Sequence, residues 1–283
     1  MIVGPIVAVC PIYNPPSDLA QRLTQFSAQV ASVIVVDDGS TAPVALAGMT
    51  VIRLAQNGGI AAALNIGVSQ AAKSGAKYVV TIDQDSEFPS DYVAELVACS
   101  GRAEDQGLRP GVVGAVEFSG LRHAGQFHDG VMVVAESIQS GALFDIAAFS
   151  TVDGFDESLV IDGVDTDICL RMQDAGFDVV VAPVAFRHQL GEGHFVSLLG
   201  REVWSSQHPP FRRYYITRNG LLLLRRHTRR HPKWAAVSAR RLTVATLLAV
   251  REPEQRSAVR RGLVDALHGR RGQRWRPPGP TDR

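Results

Sequence analysis

Three cysteines stand in 283 residues, at positions 10, 99 and 169, and no CxxC pair occurs. An odd, widely spaced set argues against a disulfide framework and leaves no zinc pattern. The three read as small core residues of a protein in a reducing compartment. Long apolar runs are also missing. "LLLL" at 221–224 and "LTVATLLAV" at 242–250 fall well short of the ~20 residues a spanning helix needs. The amino-terminal "MIVGPIVAVCPIYNPP" has no basic region and no small-residue cleavage site, so it reads as a first strand rather than a leader. No GxxxxGK[ST] and no GxGxxG is present, which removes the P-loop and the dinucleotide fingerprint. Lysine is scarce, with only Lys233 after Lys77.

What is present is ordinary globular composition, 46% hydrophobic and 20% charged. The net charge of +1 hides an asymmetry. Residues 1–200 hold 9 Lys and Arg against 23 Asp and Glu, whereas residues 201–283 hold 20 against 5. A basic carboxyl-terminal third points to an anionic partner, a membrane surface or nucleic acid. The expected division is a catalytic domain over 1–200, a basic helical region over 201–270, and a disordered Pro/Gly-rich tail over 271–283.

Apolar runs recur at 6–12, 30–38, 50–55, 76–83, 111–118 and 177–183. Several are continuous rather than alternating, as expected for strands buried on both faces of a parallel sheet. Helical patterns lie between them. One starts at Ser17, read as its N-cap, and another ends on Gly75. The alternation indicates an α/β fold with a mostly parallel sheet, in which ligands sit at the carboxyl ends of strands.

Five stretches carry chemistry. "VIVVDDGST" (33–41) ends a strand in Asp37-Asp38-Gly39; a carboxylate there can receive a nucleobase or ribose, or simply form a turn. "QNGGIAAALNIG" (56–67) sets Asn57-Gly58-Gly59 before a helix, whose amino terminus favours an anion. "TIDQDSEF" (81–88) puts Asp83 and Asp85 at a strand end, where both can approach one Mg²⁺ or Mn²⁺. "GFDESLVIDGVDTDICLRMQDAG" (154–176) brings Asp162, Asp165 and Asp167 to a helix start; Asp167 reads as a cap, and a partly buried carboxylate here could act as a general base. "FRHQLGEG" (186–193) places His188 after a strand.

With "VCPIYNPP" in front and "RRYYITRN" behind, the order of these pieces resembles inverting family-2 glycosyltransferases of the GT-A fold, and within them bacterial rhamnosyltransferases that use dTDP-L-rhamnose. The resemblance runs over roughly residues 6–220. It implies that Tyr13 and Asn14 line the nucleotide pocket, that Asp38 reads the base, and that Asn57 and Gly59 contact the nucleotide. It implies a DxD-type motif with Asp85 on the metal and Asp83 nearer the ribose or donor sugar. It implies Asp165 as the catalytic base and His188 as a further metal ligand. The family's Glu before the base is Val164 here, and Asp162 competes for the base role. Arg218 and Asn219 lie in a subgroup signature without an evident task.

The implied reaction is a single displacement on a nucleotide sugar, with a glycan or lipid-linked saccharide as acceptor, in cell-wall or surface polysaccharide synthesis. A basic helical region suits a cytoplasmic enzyme held peripherally on the inner face of the cell membrane, with no nucleic-acid partner. A UDP-sugar donor such as UDP-galactofuranose is the alternative within the family. A DxD phosphatase wants its motif on an early strand and a later lysine. A non-catalytic nucleotide-binding module remains the other class.

Overall fold

The computed structural model describes residues 4–188, 193–198, 201–206 and 208–275. The chain forms two compact units, Met1–Asp156 with Asp165–Gln189, and Glu157–Val164 with Leu190–Arg283. The division expected near residue 200 therefore comes earlier in the chain, and the second unit also takes in eight residues from the chain's middle.

In the first unit the elements run β1 (Ile6–Ile12), α1 (Leu19–Ser27), β2 (Ser32–Asp37), β3 (Thr50–Arg53), α2 (Ile60–Lys73), β4 (Tyr78–Thr81), β5 (Ser86–Glu87), α3 (Tyr92–Asp105), β6 (Pro110–Phe118), β7 (Leu121–Arg122), β8 (Met132–Val133), β9 (Ala142–Asp145), α4 (Ile146–Thr151), α5 (Val164–Asp174) and β10 (Asp178–His188). The sheet order is β3-β2-β1-β4-β9-β6-β10-β5. β1 pairs in parallel with both β2 and β4. The chain thus leaves β1 toward β2 and β3, then returns to the other side of β1 for β4. That reversal makes a crevice at the carboxyl ends of β1 and β4, where open α/β sheets bind ligands.

β1 is almost wholly buried along its length, and Val33–Val36 of β2 are buried too. This is why their sequences are continuously apolar. α2 presses closely on this part of the sheet. A Cβ at Gly67 would come within 2.3 Å of Val9 Cγ1, so glycine sets how near the helix lies. β9 is the surprise. It runs antiparallel between β4 and β6, so the sheet's second half is mixed. Its four residues are too few to show a period. Ser17 is not the N-cap of α1; Asp18 takes that position without a side-chain cap bond. Gly75, at φ +85°, follows α2 as expected.

The second unit holds a short 3₁₀ turn (Glu157–Leu159), an antiparallel hairpin β11 (Gly193–Leu198) and β12 (Arg201–Ser206), and three helices, α6 (Pro210–His227), α7 (Pro232–Ala249) and α8 (Pro253–Leu267). α6 and α8 approach so closely that a Cβ on Gly262 would meet Tyr214 O at 2.8 Å. The expected disordered tail begins too early at 271. Trp275 packs on Tyr214 with ring centroids 5.7 Å apart and lies under the Arg261 guanidinium. One buried indole face is enough to fix the chain to that point. Residues 276–283 lie outside the described ones. Among the described residues no helix is long and apolar enough to cross a membrane.

Candidate active site

Three adjacent parallel strands, β2, β1 and β4, end side by side, and the loops beyond them are tied by side chains that bond to backbone. Past β1, the Asn14 N–H donates to Ser40 Oγ at 2.8 Å. Asn14 Oδ1 accepts the Thr41 N–H at 2.9 Å. Asn14 thus stitches the β1 end to the β2 end. On its other side, the Tyr13 N–H donates to Gln84 Oε1 at 2.9 Å, which ties β1 to the β4 loop.

Past β2, Asp37 and Asp38 are both buried. Asp37 Oδ1 accepts the Ser40 N–H at 2.8 Å, and Arg53 Nη1 stands 3.6 Å from Asp37 Oδ2. Asp38 accepts the N–H groups of Gly58 and Gly59 at 2.7 and 3.0 Å. These are amides at the start of α2, so this helix terminus takes an internal carboxylate before any external anion. Two oxygens carry about four acceptor sites, so Asp38 keeps capacity for a ligand. Gly39, at φ +76°, turns the chain here; a Cβ would meet Asn57 N at 2.7 Å. Asn57 is half-buried in the same loop. Burial pushes the Asp38 carboxyl up to about 6, against the two backbone bonds that lower it.

Past β4, Asp83 and Asp85 are half-buried. Both charges reach the buried Cys10 thiol on β1, whose pKa rises first through burial and then through Asp83 and Asp85. Gln139 Nε2 donates to Asp83 Oδ1 at 2.5 Å, and the Asp83 N–H donates to Ser140 Oγ at 3.0 Å. Ser140 Oγ also lies 2.9 Å from Ser86 Oγ. Gln139 Oε1 is buried beside this carboxylate without a hydrogen-bond partner. Asp83 and Asp85 offer oxygen donors, as a hard divalent cation prefers, and an orphaned buried acceptor adjoins Asp83.

The segment 136–141, "ESIQSG", was not legible as functional. It joins two candidate elements. Gln139 and Ser140 brace Asp83, while Glu136 Oε2 accepts the Thr166 hydroxyl at 2.9 Å. Thr166 follows Asp165 in the first turn of α5, and its N–H donates to Asp165 Oδ1 at 2.9 Å. Gly141, at φ +75°, was the one signal; a Cβ there would collide with Tyr92 Oη at 2.4 Å. Asp167, expected as a cap, is instead fully buried and paired with Arg171 at 2.7 Å. Arg171 also donates to Val152 O and, at 2.6 Å, to Gly154 O. Asp167 is thus the counter-ion of an arginine that fastens the preceding loop.

His188 ends β10 opposite Ser86 in the antiparallel pairing with β5. Its side chain lies outside the described residues. Near that pairing an open cleft of about 550 Å³ is lined by Phe88, Glu117, Phe186 and Arg187 among others.

Residues 7–120 match the glycosyl transferase family 2 model. A dTDP-rhamnosyl transferase, RfbF of Shigella flexneri, is 31% identical over 242 residues, covering 78% of this chain and 80% of its own. The chain belongs to glycosyltransferase family 2. Solved structures agree on the fold. S. aureus TarS 1–349 in complex with UDP-GlcNAc superposes with a TM-score of 0.54 at 16% identity, over 94% of this chain and 92% of that one. GalNAc-T7 with UDP, GalNAc and Mn²⁺ gives 0.54 at 13% identity, over 70% and 45%. The expected GT-A fold and glycosyltransferase activity therefore stand.

The raised carboxyl of Asp38 has a measurable consequence for this family-2 chain. An acid whose folded pKa is raised stabilises the fold in its neutral form. That contribution is complete below the unfolded value of 3.8 and is lost as pH rises through about 6. Urea denaturation from pH 4 to pH 7 should show the wild type losing about 2 kcal/mol relative to Asp38→Asn. Parallel pH curves for the two proteins would contradict the burial of this charge.

Proposed function

We propose that this glycosyltransferase moves L-rhamnose from dTDP-L-rhamnose to a hydroxyl of a glycan or lipid-linked saccharide, with inversion, in the synthesis of cell-wall or surface polysaccharide. The observation that carries the reading is the convergence of Tyr13, Asn14, Asp38, Asp83 and Asp85 at the ends of three adjacent strands. The sequence relationship to a dTDP-rhamnosyl transferase supports the donor.

In this reading Tyr13 and Asn14 wall the nucleotide pocket, Asp38 receives the pyrimidine edge with its remaining acceptor sites, and Asn57 and Gly59 approach the nucleoside. Asp83 meets the ribose or donor sugar. Asp85, with His188 as a further ligand, would hold a Mg²⁺ or Mn²⁺ ion. A bound divalent cation would supply charge compensation for the departing diphosphate. Asp165 takes the acceptor's proton as the hydroxyl oxygen bonds to the anomeric carbon; the bond from that carbon to the phosphate oxygen breaks and dTDP leaves. Asp162 is the weaker candidate, because Arg212 already holds its carboxylate at 2.5 and 3.3 Å. The open cleft lined by Phe88, Glu117, Phe186 and Arg187 suits a sugar acceptor, with aromatic faces and charged rims.

Uracil and thymine present the same hydrogen-bonding edge, so Asp38 by itself fits a UDP-sugar equally well. Asp165→Asn should keep dTDP-L-rhamnose affinity within about twofold and lose at least ~10²-fold in turnover, read as dTDP release. Near-normal turnover contradicts the base assignment, and stronger thermal stabilisation by UDP-galactofuranose than by dTDP-L-rhamnose contradicts the donor.

The basic third also supports a cytoplasmic enzyme resting on the inner membrane face. On α7 and α8 the exposed Val237, Leu247, Leu263 and Leu267 are interleaved with arginines, as in helices that lie in an anionic interface. The protein should co-sediment with vesicles containing phosphatidylglycerol and not with pure phosphatidylcholine. Equal recovery with both would contradict the electrostatic contact.

A further inference from the structure

The segment that leads into α5 is strained. Val160, Asp162 and Gly163 have φ of +69°, +62° and +82°. A β-branched residue in the left-handed region is a genuine outlier, and such residues persist only where their surroundings over-determine them. Most of the surroundings are on α6, joined by Ala258 of α8, which packs with Val160, and by Gly272, whose N–H donates to Ser158 O at 2.7 Å. Asn219 Nδ2 lies 2.9 Å from Leu159 O, 2.7 Å from Ile161 O and 2.8 Å from Asp162 O. Its orientation is fixed, because Asn219 Oδ1 accepts the Arg218 Nε–H at 2.9 Å. Arg218 Nη2 donates to Ser158 O and Leu159 O at 3.1 and 3.2 Å, and Nη1 to Gly272 O at 2.6 Å. The guanidinium is fully buried, with its centre 4.7 Å from the Tyr215 ring and 5.4 Å from that of Tyr214. Leu223, one helical turn beyond Asn219, comes so close to Gly163 that a Cβ there would lie 2.8 Å from its Cδ1.

Burying a guanidinium against carbonyls costs more than burying an apolar side chain of equal volume. Packing alone therefore does not explain this pair. What the pair does is gather five polar contacts onto four carbonyls within a five-residue stretch, those of Ser158, Leu159, Ile161 and Asp162, with Val160 spanned between them. The next residues are Gly163, Val164 and Asp165. We propose that Arg218 and Asn219 are positioning residues for the transfer reaction. They hold the strained 158–163 backbone in the one conformation from which α5 starts at Val164 and presents Asp165. The inference rests on the reading of Asp165 as base and assigns the "RN" of "YYITRN" a task in the same step.

The test uses the full chain with dTDP-L-rhamnose, Mn²⁺ and water as the acceptor, comparing wild type, Asn219→Asp, Arg218→Lys and Leu248→Ala. Asn219→Asp keeps the acceptor for Arg218 and turns an oxygen toward three carbonyls. Arg218→Lys keeps the charge and loses the planar fork, so it serves where the first variant folds poorly. Leu248→Ala empties a buried position on α7 and reports plain loss of stability. The first two variants should lose at least tenfold in dTDP release with donor Kd within twofold, and amide exchange in peptides over 157–164 should rise at least tenfold. Leu248→Ala should lower Tm without that split. Unchanged exchange over 157–164, or the same loss of turnover in Leu248→Ala, would overturn the positioning role. Full turnover by Asp165→Asn would instead overturn the base reading and leave the exchange result to decide the clamp.

Discussion

The fold gathers negative charge at the carboxyl ends of neighbouring interior strands, and the loops of the first unit are arranged to hold it there. Asp37, Asp38, Asp83 and Asp85 all lie at or just past the carboxyl ends of neighbouring strands. Left to themselves they would repel one another and lose hydration. Backbone amides, one arginine and a glutamine amide meet the carboxylates of Asp37, Asp38 and Asp83, and Asp85 is not left alone either. The same bonds cross-link the loops, so electrostatic compensation and loop geometry are one device. Buried Cys10 feels the Asp83 and Asp85 charges directly, which makes it a neighbour of the acidic loop and an unreactive one.

The parts of this arrangement that were legible in the sequence are those where one local pattern decides the structure. β1 and β2 announced themselves as unbroken apolar runs because both of their faces are covered. Asp38-Gly39 declared a turn because only a residue tolerant of positive φ fits against Asn57. The order of motifs then gave the family. The parts that were not legible depend on partners distant in sequence. Nothing around residue 167 signals that its carboxylate is spent on Arg171, since an acid in a first turn is a good cap by every local rule. Nothing in "QNGG" says that its amides are already taken by a carboxylate twenty residues earlier. The antiparallel β9 and the bracing segment 136–141 are short, and their meaning lies in what they touch.

The carboxyl-terminal third divides similarly. Its helices and its positive charge are plain from the spacing of arginine and leucine. That one of those arginines, Arg218, is fully buried between two tyrosines is invisible to a count of charges. The strain at Val160 is equally invisible, because a β-branched residue does not advertise a left-handed backbone. Local rules fail here at the doorstep of α5, the helix that carries Asp165, and sites where local preference is overruled are often the ones with work to do.

The central claim is that the acidic strand ends hold a nucleotide diphosphate through a divalent cation on Asp85. Calorimetric titration of dTDP into the protein, with Mn²⁺ and again in EDTA, for wild type and Asp85→Ala, tests it most directly. Wild type should bind at least tenfold more tightly with Mn²⁺ than in EDTA, and Asp85→Ala should bind with the same weak affinity in both. A metal advantage that survives in Asp85→Ala, or none in wild type, would contradict the claim.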